Sequence, residues 1–406
     1  MKILREYKSI TVTKKAEIAI LSGHPWVYFD EITNDTDVEN GSIVDVLSEK
    51  GSYLGSGIYS QNSKIRVRIL SRNINDTFDE FFFKRRIKYA IDYRKTVMRS
   101  DLSNCRLIFG EADGLPGLTV DKFSNIIVVQ ILSYGIEIRK NLIFNSLLEI
   151  LTEYGEKIDG IYERNDVAIR KLEGLEENKK WYFRSNEWDE DNNITYITEN
   201  GIKYEVDFFN GQKTGFFLDQ KFNRAAVAKL SKGKKVLDCF THTGSFALNA
   251  AYGGAEKVTA VDISQHAIDT AKRNAVRNNL DSKIEFIVDD VFDLLADKIK
   301  KNEYDFIILD PPAFTKSRKT ILNAKRGYGE INYRAMKLLP RGGYLATCSC
   351  SHFMEDKLFV KMLKESAANA QVQLKQIEAK QQSPDHPILW NVPETDYLKF
   401  YIFQII

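Results

Sequence analysis

Lys235-Val236-Leu237-Asp238-Cys239-Phe240-Thr241-His242-Thr243-Gly244 reads as a buried strand that ends in an acid and runs through a polar turn towards a helix. A second apolar run, Lys257 to Asp262, also ends in an acid, 24 residues after Asp238. Outward from this pair, the runs Ile284 to Val288, Tyr304 to Leu309 and Gly343 to Cys348 are separated by helical stretches. Those stretches lie near Phe246 to Tyr252, Gln265 to Asn278, Val291 to Ile299, Ile321 to Leu339 and Glu355 to Ala368. Such alternation predicts an α/β fold with a doubly wound parallel sheet. Val372 to Ile377 and Tyr397 to Ile406 follow with no helix between them, as an antiparallel edge pair would.

In an open α/β sheet, ligands bind outside the carboxyl ends of the strands, at the switch point. Asp262 can accept hydrogen bonds from both ribose hydroxyls, so an adenosine cofactor is implied. A dinucleotide would want G-x-G-x-x-G, because glycines let the backbone approach a pyrophosphate. Only Gly244 is present, and Asp238 would repel a phosphate. A carboxylate there suits the ammonium of a methionine moiety instead, which points to S-adenosylmethionine. The third strand ends in Asp289-Asp290-Val291-Phe292, where Asp290 can accept from the adenine amino group while Val291 and Phe292 cover the ring. Phe240, Thr243, Gly244 and Ile263 lie on the same strand-end turns. Any one acid could be a helix cap; three at successive strand ends favour the cofactor. Upstream, the turn-rich stretch Asn210 to Gln220 reads as a lid over the cofactor, with Thr214, Phe217, Asp219, and Lys213 near the carboxylate.

The fourth strand runs into Asp310-Pro311-Pro312-Ala313-Phe314. Two prolines after an acid fix a rigid turn whose carbonyls can face the amino edge of a planar base. Phe314 can stack on that base, at about 1–3 kcal/mol for such contacts. The motif fits exocyclic-amine methylation as well as carbon methylation. The fifth strand ends in Thr347-Cys348-Ser349-Cys350-Ser351, with two thiols on one face if the chain stays extended. Carbon 5 of a pyrimidine is a weak nucleophile until a thiolate adds at carbon 6. Cys350 is the expected nucleophile and Cys348 a small buried residue, while Asp310 can protonate or hydrogen-bond ring N3.

The N-terminal half reads differently. Residues 1–72 hold short β-like runs, Ile43 to Leu47, Tyr53 to Tyr59 and Ile65 to Leu70, between turn signals. Alternation in Lys64-Ile65-Arg66-Val67-Arg68-Ile69 puts three cations on one strand face, which is either solvated or turned to phosphates. Phe81 to Arg99 is helical in character and carries Lys84, Arg85, Arg86, Lys88, Arg94, Lys95 and Arg99 against one acid, Asp92. Clustered cations gain counterion release on meeting phosphates, so an RNA-backbone contact through Arg85 and Arg86 is expected. From Arg106 to Phe183 the order is strand, strand, helix, strand: Gly117 to Asp121, Asn125 to Leu132, Glu137 to Leu151, Gly160 to Glu163. Asn186 to Asn193 reads as a linker.

At 406 residues the chain exceeds one core, so two or three domains are expected. Lys and Arg total 58 against 56 Asp and Glu, so the partner must be read from local charge rather than from the net +2. Cys105, Cys239, Cys348 and Cys350 lack zinc-ligand spacing, so no metal is expected and a reducing compartment fits. Met1 to Tyr7 has no signal-type apolar run and no segment reaches membrane-span length, which predicts a cytoplasmic protein without a membrane partner.

Together the motifs resemble the bacterial large-subunit ribosomal RNA cytosine-5 methyltransferases that carry an N-terminal PUA domain. The likeness spans nearly the whole chain: His24-Pro25-Trp26-Val27, Gly110 to Gly117, Gln212 to Gln220, Asp310 to Phe314 and Ser349-Cys350-Ser351. It implies a PUA-like RNA-binding domain over 1–72, a central α+β domain over 73–190 and a class I, Rossmann-like methyltransferase domain with a seven-stranded sheet over 191–406. It also implies S-adenosyl-L-methionine as cofactor, large-subunit ribosomal RNA as partner, a homodimer, and 5-methylcytosine formed through a Cys350 adduct. Other subfamilies carry a cysteine directly after the two prolines; Ala313 stands there, so the base that removes the carbon 5 proton is unassigned. Related enzymes on this scaffold methylate guanine, and two alternatives remain: nitrogen methylation of an rRNA base, or a non-catalytic RNA-binding assembly factor.

Overall fold

The computed structural model describes residues 6–34, 37–99, 101–189, 191–315 and 317–406, so Met1 to Arg5 of the N-terminal reading and Glu190 of the expected linker lie outside the described residues. The chain forms two compact units. One runs up to Thr195 and also takes Val206–Phe216 and Pro384–Thr395; the other holds Tyr196–Glu205, Phe217–Ser383 and Asp396–Ile406.

The first unit contains two five-stranded sheets. The first joins β1 (Lys8–Val12), β2 (Trp26–Tyr28), β3 (Ile43–Ser48), β4 (Tyr53–Tyr59) and β5 (Ile65–Ser71) in the order β1-β3-β4-β5-β2, with α1 (Lys14–Leu21) packed into its core of Ile10, Val12, Ala16, Ile20, Val44, Val46 and Val67. The second joins β6 (Asn104–Phe109), β7 (Leu118–Phe123), β8 (Ile126–Ile131), β9 (Gly160–Arg164) and β10 (Lys179–Arg184). Its core is shared with α2 (Glu80–Val97), the short α3 (Tyr134–Glu137) and α4 (Lys140–Glu153).

Two expectations about cations are corrected here. Arg68 of β5 does not face solvent: β5 is paired on both sides, by β4 and β2, and the guanidinium lies 2.8 Å from Glu173 with both side chains almost fully buried. Arg94 of α2 is likewise internal, donating to the Arg106 and Asp385 carbonyls at 2.8 Å and paired with Asp113. Both charges were legible, but their partners lie far away in sequence.

The second unit is built on a seven-stranded sheet. After the paired strands β11 (Ile194–Glu199) and β12 (Ile202–Asp207) come α5 (Lys221–Leu230), β13 (Lys235–Cys239), α6 (Ser245–Tyr252), β14 (Lys257–Asp262), α7 (Gln265–Arg277) and β15 (Ile284–Val288). There follow α8 (Val291–Asp293), β16 (Phe306–Leu309), α9 (Ile321–Leu338), β17 (Tyr344–Ser349), α10 (Asp356–Ala370), β18 (Leu374–Lys380) and β19 (Lys399–Ile405). The order is β15-β14-β13-β16-β17-β19-β18, parallel through β17 and antiparallel at the β17-β19-β18 edge. The doubly wound sheet and its antiparallel closing pair are therefore as expected. The switch point falls between β13 and β16, where the crevice for a ligand opens. One helix differs: Val291 to Ile299 is a single α-turn followed by a π-turn over Leu294–Lys298. The wider turn lets the adjacent Leu294 and Leu295 both enter the core.

Candidate active site

The turn after β13 sets the geometry. Phe240, His242 and Gly244 have φ of 66°, 51° and 83°, so three residues in five are left-handed and two of them carry side chains. Such strain persists only where the surroundings enforce it, and it gathers at functional sites. Gly244 is required on two counts: its φ, and a Cβ there would sit 2.9 Å from the Ala271 Cβ. The turn delivers the His242 N–H to Asp262 Oδ2 at 2.9 Å, while Asp262 Oδ1 accepts from the Ser264 N–H at 2.9 Å. Each oxygen keeps a second lone pair for a hydroxyl. Ile263 next to it is largely exposed.

Asp238 is fully buried. Its Oδ2 accepts from the Thr241 hydroxyl and, at 2.9 Å, from the Ala247 N–H, and its Oδ1 has no partner. Burial pushes this carboxyl up to about 8. An unmatched oxygen on a buried carboxyl fits an ammonium donor, and the Thr243 hydroxyl is a second buried polar group without a partner. At the third strand end, Asp290 caps α8 through the Phe292 N–H at 2.7 Å, and Asp289 is held by Lys298 at 2.6 Å. The cap reading of Asp290 is thus realised. Val291 is buried in the core.

Register brings the ends of β16 and β17 together. Leu309 pairs with Thr347, so the next residues, Asp310 and Cys348, lie side by side at the strand ends. Asp310 accepts from the Gln220 amide at 3.1 Å. Cys348 is fully buried and its thiol is pushed well up by burial and by Asp310, whereas Cys350 is partly exposed. The other two cysteines, Cys105 and Cys239, are buried. Pro311 is buried and Pro312 exposed. Phe314 is partly covered: its ring lies 4.6 Å from that of Tyr328 and against Gly327, which leaves less of it open to a base than the sequence suggested.

The lid stretch divides. Phe217 packs its ring 5.3 Å from His242, and buried Asp219 accepts from the Tyr397 hydroxyl at 2.7 Å. Both belong to the second unit, where Arg224 fixes the Phe217 carbonyl at 2.8 Å and pairs with Glu199 at 2.7 Å, all within a buried cluster. Lys213 and Thr214 belong to the first unit: Lys213 has φ of 53°, and the Thr214 hydroxyl donates to Asp121 at 2.6 Å. Of the two arginines expected on RNA, Arg85 is half exposed and paired with Asp76 at 3.0 Å. Arg86 turns inward, donating to the Leu70 carbonyl at 3.0 Å beside the Phe82 ring. Sequence reasoning missed Gln220, Tyr328 and Lys399. Gln220 lay inside a quoted motif, but nothing in the sequence paired it with Asp310.

Comparison with known proteins agrees with this geometry. Residues 181–403 match the S-adenosylmethionine-dependent methyltransferase family, and residues 10–72 a PUA-like domain. Ribosomal RNA large subunit methyltransferase I of Aeromonas hydrophila is 41% identical over 96% of this chain and 98% of that protein. Its counterpart in Pseudoalteromonas atlantica is 42% identical over 98% and 99%. Among solved structures, a proposed SAM-dependent methyltransferase from Streptococcus mutans shares the fold at a TM-score of 0.80 and 22% identity, covering 98% of this chain and all of that one. The strand-end acids, the strained turn and these full-length matches place the chain in the S-adenosylmethionine-dependent methyltransferases, in the ribosomal RNA large subunit methyltransferase I family.

Proposed function

We propose that this enzyme methylates carbon 5 of a cytosine in 23S ribosomal RNA through a covalent adduct with Cys350. The observation that carries the reading is the position of Cys350. It is the one partly exposed thiol of the four, directly after β17, the strand that pairs with β16 ahead of Asp310. S-adenosyl-L-methionine supplies an electrophilic methyl group. The residues expected to hold it are Asp238 for the ammonium, Asp262 for the ribose and Asp290 for the adenine, with Lys213, Thr214, Phe217, Asp219, Phe240, Thr243, Gly244, Ile263 and Val291 around them. Addition of the Cys350 sulfur at carbon 6 makes carbon 5 nucleophilic, and loss of the carbon 5 proton with expulsion of the sulfur completes the cycle. Asp310, held by Gln220, protonates ring N3 or, as the carboxylic acid, donates a hydrogen bond to it, and so lowers the barrier to addition. Pro311, Pro312 and the open part of Phe314 would line the base, and Arg85 the backbone.

The domain reading, 1–72 for PUA-like RNA binding, 73–190 central and 191–406 catalytic, belongs to the same proposal, as do a cytoplasmic location and a homodimer. Nucleoside mass spectrometry on rRNA incubated with the enzyme tests the target atom. 5-Methylcytosine that disappears in Cys350→Ala but persists in Cys348→Ala is expected. An N-methylated base, or full activity of Cys350→Ala, would refute the reading.

A further inference from the structure

Lys399 opens β19 directly opposite Ser349, in the antiparallel register that also pairs Cys348 with Phe400. Its side chain runs under the end of β17 and is only 5% exposed. There the Nζ donates to the Ser351 carbonyl at 2.8 Å and to the Tyr397 carbonyl at 2.8 Å, so it is fastened to the residue that follows Cys350. Both partners are neutral. Of the acids that act on it from a distance, Asp396 accepts from the Gln381 amide at 3.1 Å and Asp356 from the Tyr401 hydroxyl, while Glu355 precedes α10. Burying a cation without a carboxylate against it is costly, and a fold that fastens such a group to the residue after a cysteine gains an electrostatic lever on that thiol.

We propose that Lys399 is a positioning residue whose fixed ammonium holds Cys350 as a thiolate, and this rests on the reading of Cys350 as the nucleophile. Burial lowers the lysine to about 8, while Cys350 and the acids Asp396, Asp356 and Glu355 oppose that fall. Around Cys350 itself stand Tyr328, whose hydroxyl is 3.0 Å from that of Ser351, and the neutral thiol of Cys348 with Asp310 behind it. Tyr328 is raised to about 12 by burial and so stays neutral, whereas Lys399 is a cation in electrostatic contact with Cys350. In the reaction the Cys350 proton leaves to solvent before the carbon–sulfur bond forms, and Lys399 keeps its own protons throughout.

The test is the pH dependence of iodoacetamide alkylation at Cys350 in the full chain, read by peptide mass spectrometry. Wild type should titrate below the ordinary thiol value, Lys399→Met should alkylate about tenfold more slowly near neutral pH with its midpoint moved up by roughly one unit, and Lys399→Arg should restore most of the rate. Coincident profiles for wild type and Lys399→Met would overturn the inference. So would a wild-type midpoint at or above the ordinary value, a measurement that holds even if Lys399→Met fails to fold. The nucleophile reading fails separately, by methyl transfer surviving in Cys350→Ala, and that outcome leaves the alkylation profile unchanged.

Discussion

Asp238→Asn is the substitution that interrogates the cofactor pocket most directly. The carboxyl is fully buried, its Oδ2 is satisfied by Thr241 and Ala247, and its Oδ1 has no partner. An asparagine fills the same volume but cannot become the anion that an ammonium seeks. A hydrogen bond to a charged group contributes about 1.5–3 kcal/mol, so affinity for S-adenosylmethionine should fall by roughly ten- to a hundredfold. Calorimetry in buffers of different ionisation enthalpy should also show wild type releasing protons on binding below about pH 8, because the carboxyl holds a proton there until the ammonium arrives. The variant should release fewer. The cofactor-free protein gives a second, opposite readout. The folded value of about 8 lies above the ordinary 3.8, so the stability contribution is full below about pH 4 and is lost as pH rises through 8. Asparagine does not titrate, so at pH 9 the variant should melt above wild type. Affinity of the variant within about twofold of wild type, or equal proton release, would refute the placement of the ammonium.

Other substitutions separate positioning from packing. Glu199→Gln removes the anion from a buried bidentate pair with Arg224 at 2.7 and 2.9 Å, and should cost about 3–5 kcal/mol in thermal or chemical unfolding. Gly244→Ala forces a side chain to φ 83° and against Ala271, whereas Gly233→Ala, at φ 69° with open space around it, meets only the backbone cost of about 1–2 kcal/mol; the first should lose more melting temperature and weaken cofactor binding, the second only the former. Arg85→Glu should weaken RNA binding and lower the salt slope of log K by about one in filter-binding titrations, while Arg86→Met should alter unfolding and leave that slope unchanged.

The inner parallel strands β13, β14, β16 and β17 were legible because strands buried on both faces are written as near-continuous apolar runs, and acids close β13, β14, β15 and β16. The short β2 and the polar-faced β10 were not, since three residues or a half-exposed strand leave no periodicity to read. The β11–β12 hairpin was missed although its signal was present: Asn200-Gly201 has φ of 53° and 81°, the left-handed pair that this dipeptide favours in a tight turn. The cations were harder for a different reason. Arg68 and Glu173 are 105 residues apart and Arg94 reaches a carbonyl 291 residues away, so no local pattern distinguishes them from Arg85.

The same limit governs the reactive end. Asp310 and Cys350 could be picked out because each closes a strand of recognisable type. Gln220 bonds Asp310, and Lys399 the residue after Cys350, only through the tertiary fold, from a helix start and an inner strand of ordinary composition. Lys399 sits in an apolar closing run that reads as sheet edge, and its charge becomes meaningful only when β19 inserts between β17 and β18 and carries the ammonium under the residue after Cys350. Strand order, which a single sequence specifies least, is therefore what turns a row of separate strand-end motifs into one site.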